Sequence, residues 1–163
     1  LPDTPQDSVT GKDENDYMES GQQNRRRTFS DSESDHASVG IWKKDSVGWW
    51  YQYKNGTWPS SCWKYLDWKE KKNWYHFNRN GYMQTGWILV NDRWYYLDKS
   101  GAMATGWIFV DNKWYYLKPD GAMAIGWILV NDKWYYLSQD GSLVVAATTP
   151  DGYKVGEDGA WIP

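Results

Sequence analysis

Hydrophobic and polar positions alternate in short bursts along most of the chain, and from residue 82 those bursts repeat without gaps. The segments YMQTGWILVNDRWYYLDKSG (82–101), AMATGWIFVDNKWYYLKPDG (102–121) and AMAIGWILVNDKWYYLSQDG (122–141) align with a period of 20. Trp87, Trp107 and Trp127 form one column, Trp94, Trp114 and Trp134 a second, and Met83, Met103 and Met123 a third. Chance does not place so many rare residues in register, so the chain is read as a repeat architecture. Within a unit, Gly-Trp-Ile-Leu-Val and Arg-Trp-Tyr-Tyr-Leu are β-rich runs separated by Asn-Asp, which tolerates the positive φ of a tight turn. Each unit is therefore predicted to be a β-hairpin.

A two-residue turn opposes Val90 to Arg93, Leu89 to Trp94, Ile88 to Tyr95 and Trp87 to Tyr96. Opposed residues share a face, so Trp87, Leu89, Trp94 and Tyr96 project one way and Ile88, Tyr95 and Leu97 the other. A lone hairpin is marginal in water. Stacking along an axis supplies the missing core and predicts an all-β solenoid in which each unit touches mainly its neighbours. Tyr95, Tyr115, Tyr135 and the Leu and Ile positions are assigned to that core.

The pattern is looser outside 82–141. Residues 40–81 read as two divergent units, with turns at Asn55-Gly56 and Asn80-Gly81, and the second carries an insertion. Residues 142–163 decay into what is expected to be a C-terminal cap, with Leu143 in the Met column. Together, 40–163 form the repeat module. Residues 1–39 form a polar leader, rich in Ser, Asp and Glu, that offers too little to bury; disorder is its expected state. Its Arg25-Arg26-Arg27 run and His36 are read as solvated spacer chemistry.

Composition sharpens the picture. Of 163 residues, 14 are Trp and 13 Tyr, and only Tyr17 and Phe29 among the aromatics fall in the first 40 positions. Cys62 is the sole cysteine and His36 and His76 are the only histidines, which excludes a disulfide framework and a cysteine zinc site within one chain. No apolar run nears the roughly 20 residues that span a bilayer. Leu1 in place of Met indicates a processed or trimmed chain. The carboxylates are mostly turn residues such as Asp92, Asp120 and Asp132, and no nucleophile or acid-base cluster emerges, so the chain is not expected to be an enzyme. A net charge of -3 lacks the strongly basic groove of a nucleic-acid binder.

Two Trp per unit are more than stability alone requires, because each indole N–H needs a partner or solvent. Large flat rings repeated at one level suit two ligand classes. Sugars lay C–H faces on rings, and quaternary ammonium groups sit against several ring faces by cation–π attraction, with Met as a soft wall. The pattern Gly-Trp, short spacer, Trp-Tyr-Tyr, Gly-x-Met resembles the cell-wall-binding repeats of pneumococcal-type choline-binding proteins over about residues 40–163, most closely over 82–141.

The resemblance implies a left-handed solenoid of stacked β-hairpins that binds choline between consecutive hairpins. It further implies non-covalent anchoring, through phosphocholine on teichoic or lipoteichoic acid, of a secreted protein on the bacterial cell surface. Carried over by position, a choline cage takes both Trp of one hairpin, the following Met and the second Tyr of the next. This gives Trp87, Trp94, Met103 and Tyr116 for one site and Trp107, Trp114, Met123 and Tyr136 for the next. An earlier site takes Trp63, Trp74, Met83 and Tyr96, with Trp68 as a rival to Trp63. At the ends, Trp42 and Trp50 meet His76 where Tyr is expected, and Trp127 and Trp134 have only Tyr153 or Trp161 to complete them. No cofactor is implied. Alternatives are a glucan-binding module, which related aromatic repeats form, or a surface interaction protein held in place by choline, with the leader meeting a host or surface protein.

Overall fold

The computed structural model describes residues 39–163; the leader, with Arg25, Arg26, Arg27 and His36, lies outside the described residues. The described chain is all β. Five antiparallel hairpins follow in order: β1 (Gly40–Lys44) with β2 (Trp49–Tyr53), β3 (Cys62–Trp68) with β4 (Lys71–Phe77), β5 (Gly86–Val90) with β6 (Arg93–Leu97), β7 (Gly106–Val110) with β8 (Lys113–Leu117), and β9 (Gly126–Val130) with β10 (Lys133–Leu137). A three-stranded sheet of β11 (Ala147–Thr148), β12 (Lys154–Val155) and β13 (Trp161–Ile162) ends the stack.

The turns explain the hairpins. Asn91 and Asp92, Asp111 and Asn112, and Asn131 and Asp132 all have φ between 48° and 62°, the two positive values of a type I′ turn whose twist matches the flanking strands. The register is the one that turn dictates, with Val90 opposite Arg93, Ile88 opposite Tyr95 and Trp87 opposite Tyr96. In β3–β4 the turn residues Lys69 and Glu70 adopt the same positive φ, and each strand is seven residues long instead of five. The insertion therefore lengthens a hairpin rather than adding a loop.

The two faces have different fates. Ile88, Tyr95 and Leu97 are buried, whereas Leu89 and Trp94, one step along each strand, are 55% and 44% exposed. Leu97, Leu117 and Leu137 have no exposed surface, and burial of a side chain of this size stabilises by roughly 1.5–3 kcal/mol.

Successive units are locked by the methionine column. The amide of Met83 donates to the Trp49 carbonyl at 2.8 Å, that of Met103 to Trp74 at 2.9 Å, that of Met123 to Trp94 at 2.7 Å and that of Leu143 to Trp114 at 2.8 Å. Met103 also bridges to Leu97, and Met123 to Leu117, so each Met ties two earlier hairpins to the one it opens. The glycine after each hairpin makes room for this. Gly121 has φ of 83°, and a Cβ there would collide with the Met103 sulfur. Arg93 with Asp120, Lys113 with Asp140 and Lys133 with Asp158 form a ladder of ion pairs along the same stack, at 3.6, 2.9 and 3.4 Å. These surface pairs contribute little stability each, about 0–1 kcal/mol.

Candidate functional site

Stacking creates a recurring gap between hairpins, walled by rings from two of them. In the third hairpin, Trp87 and Trp94 stand nearly perpendicular, at 86° with centroids 6.5 Å apart, and Tyr115 of the following hairpin lies 4.9 Å from Trp87. The fourth hairpin repeats this closely. Trp107 and Trp114 are 6.4 Å apart at 86°, and Tyr135 lies 5.1 Å from Trp107. Leu143, whose backbone N–H donates a hydrogen bond to the Trp114 carbonyl, forms the apolar floor. The result is an open pocket of about 340 Å³ lined by Trp107, Trp114, Tyr135, Leu143, Val145, Glu157 and Asp158.

The aromatic walls offer electron-rich faces and apolar contact, and the rim offers negative charge. The Ala160 amide, and more weakly Lys133, hold the Asp158 carboxyl below its usual range, so it is ionised at neutral pH. No metal-ligand cluster of three or more His, Cys, Asp or Glu occurs among the described residues. Ring faces over an apolar floor can receive a large, weakly hydrated cation.

The pairing of Trp columns expected from sequence appears in the structure, but the third ring and the Met are supplied differently. The ring laid on Trp87 is Tyr115, not Tyr116; Tyr116 packs 5.1 Å from Trp107 of its own hairpin. Likewise Tyr135 closes the Trp107–Trp114 gap while Tyr136 packs on Trp127. The cross-strand pairs Trp107–Tyr116 and Trp127–Tyr136 set those second tyrosines within one hairpin. The Met also shifts by one unit. Met123, not Met103, bonds the backbone of Trp94. Met103 bonds Trp74, and packs with Trp63 against buried Tyr95.

The earlier gap accordingly gathers Trp63, Trp74, Tyr95 and Met103. Trp63 is opposite His76, the register position of Trp87, and its ring is 5.1 Å from Tyr95. Met83 packs instead with Tyr75 and Trp42 in the preceding layer, and Tyr96 packs on Trp87. Tyr95 is fully buried where Tyr115 and Tyr135 are half-buried. His76 lies 5.0 Å from Trp63 and shares a 2.6 Å hydrogen bond through Nδ1 with Gln84 Oε1. Burial lowers its pKa, against the opposing pull of Gln84, so the imidazole is neutral at pH 7 and adds no repelling charge.

The two ends differ from the middle. At the N-terminal end the second-column Trp is Trp49, because its carbonyl receives the Met83 amide as Trp74 and Trp94 receive theirs. Trp50 points elsewhere, 6.2 Å from Trp58 and under the Lys43 ammonium. The space beside Trp42 and Trp49 holds Trp68, whose ring is 4.9 Å from the first and 4.6 Å from the second, perpendicular to both. At the C-terminal end Trp127 is buried, donates to Asp151 Oδ2 at 2.7 Å and is covered by Tyr153 at 5.7 Å.

Hairpins stacked through a Met column, with paired Trp facing a ring from the next unit, define a repeat module built around aromatic gaps. The choline-binding repeat matches residues 68–105 and 104–147. Among solved structures, choline binding protein F from Streptococcus pneumoniae is 42% identical, with a TM-score of 0.67 over 77% of this chain and 41% of that one. The choline binding domain of Spr1274 from the same species is also 42% identical, over 49% of this chain and 96% of that domain, with a TM-score of 0.46. The pneumococcal cell wall endolysin of phage Cp-1, solved in complex with choline, is 35% identical over 83% of this chain and 40% of its own length, with a TM-score of 0.53. The chain thus spans about two fifths of the first and third of these proteins. It belongs to the choline-binding repeat family.

Proposed function

We propose that this chain binds choline in the gaps between its hairpins and thereby anchors to phosphocholine on teichoic or lipoteichoic acid at the bacterial cell surface. The observation that carries the reading is the perpendicular Trp107–Trp114 pair closed by Tyr135 over an apolar floor, repeated one period earlier with Trp87, Trp94 and Tyr115. A trimethylammonium group has no N–H to donate, so it gains from ring faces and apolar walls rather than from a hydrogen-bonded carboxylate. Family membership and the choline complex of the Cp-1 endolysin support the same reading.

A desolvated cation–π contact is worth about 2 kcal/mol, and contacts to a single cation are not additive. After association costs a choline headgroup binds each gap at roughly the millimolar level. Anchoring then comes from repetition. Sites in rigid series facing a polymer with many phosphocholines gain about two to four orders of magnitude in avidity. The function is non-catalytic. Among the described residues no helix is long and apolar enough to cross a membrane.

Chromatography on a tertiary-amine resin tests this. The chain should be retained and released by free choline; release by dextran, with no response to choline, would favour glucan binding instead.

A further inference from the structure

The first hairpin carries the components of a gap that the chain fills by itself. Trp42 and Trp49 stand in the two Trp columns, and Tyr75 of the next hairpin lies 4.9 Å from Trp42, just as Tyr115 lies on Trp87. In the regular units the outer Trp94 and Trp114 are 44% and 46% exposed, and an open pocket lies between Trp107, Trp114 and Tyr135. Here Trp68 stands against both walls, perpendicular to each at 90°. Its position follows from the insertion. The two extra residue pairs of β3–β4, Asp67 with Lys72 and Trp68 with Lys71, carry Trp68 beyond the length of a regular hairpin and back over its predecessor.

The same insertion also satisfies the wall. The Trp42 indole N–H donates to the Asp67 carbonyl at 2.8 Å, and the Lys44 ammonium sits 5.5 Å from the Trp49 ring. Perpendicular ring pairs are a favoured aromatic arrangement, and the lysine ammonium over Trp49 supplies that ring with the cation–π attraction a quaternary ammonium would bring.

We infer that Trp42, Trp49 and Tyr75 form a latent quaternary-ammonium site held shut by Trp68, so that the N-terminal hairpin pair is fastened internally while the later gaps stay open to ligand. The inference rests on choline being the ligand of the open gaps. It makes Trp68 the residue that sets how many sites the module offers.

Choline titration by calorimetry on the full chain and three variants tests it. Trp68→Ala should raise the stoichiometry by one site over wild type. Trp49→Ala should leave the wild-type stoichiometry unchanged, and Trp49→Ala combined with Trp68→Ala should remove the added site. Unchanged stoichiometry in a Trp68→Ala protein whose circular dichroism is that of wild type would overturn the inference, as would loss of a site in Trp49→Ala alone. If Trp68→Ala fails to fold, Trp68→Leu, which keeps apolar bulk but removes the ring between the walls, is read by the same criterion: one added site supports the inference and an unchanged number overturns it. Absence of choline binding by the wild type would instead count against the proposed function, since this inference is read only from the difference between variants.

Discussion

Leu97→Ala is expected to cost about 2–5 kcal/mol of stability, the range for emptying a fully buried leucine site that relaxes only in part. Leu97 has no exposed surface and packs in one cluster with Ile88, Tyr95, Ala122 and Met103. It also bridges to Met103, where the next unit enters. The lesion therefore falls at a junction between units, and in a solenoid it should act on neighbours first. Trp63 belongs to the same cluster, so the gap formed with Trp74 and Met103 should weaken along with the fold. Leu129→Ala is the control. That residue is 50% exposed, and its truncation should change stability by no more than about 0.5 kcal/mol. Urea unfolding of both variants checks the contrast; equal losses would mean that the two faces are not divided into core and solvent as described.

Ligand should offset part of the Leu97→Ala loss. Binding to the folded state alone stabilises by about 2.7 kcal/mol per site at one hundred times the dissociation constant. A rise in melting temperature with choline, in wild type and variant alike, is the expected sign that choline binds the folded state.

The second large effect is on binding. Trp114→Ala should remove one choline site while leaving the fold intact, because Trp114 is 46% exposed and little of the core rests on it. With one wall of the gap gone, Trp107 and Tyr135 cannot enclose a cation. On a choline-bearing polymer, loss of one site in series should lower avidity by about ten- to a hundredfold, although each remaining site keeps its affinity. Tyr135→Ala should weaken the same site, and Tyr136→Ala should act instead on the Trp127 layer, where that ring packs. Calorimetric stoichiometry separates these outcomes. If Tyr136→Ala removes the Trp107–Trp114 site and Tyr135→Ala spares it, the ring assignment is wrong.

The hairpins were legible because everything that forms them is local. Asn-Asp turns set the register, the register sets the faces, and Ile88, Tyr95 and Leu97 on one side of Leu89 and Trp94 already name the core. The choice between Tyr115 and Tyr116 was not local. Alternation along a strand says only that the two tyrosines point apart, and which of them meets Trp87 depends on how one hairpin is set against the next. The Met shift has the same origin, since Met123 reaches back past a whole unit to the Trp94 backbone. Trp49 was within reach of the sequence. Gly56 follows it by seven residues, as Gly81 follows Trp74 and Gly101 follows Trp94, and that spacing marks the column better than the neighbouring Trp50 does. Trp68 was visible only as a competitor for the Trp63 position. Its place against Trp42 and Trp49 follows from a hairpin lengthened by two pairs, which joins residues distant in sequence.

A crystal structure grown with choline measures the central claim most directly. The account predicts trimethylammonium density between Trp87, Trp94 and Tyr115 and between Trp107, Trp114 and Tyr135, with none beside Trp42 and Trp49. Empty gaps at the first two places, or choline held on the hairpin faces away from these rings, would contradict it.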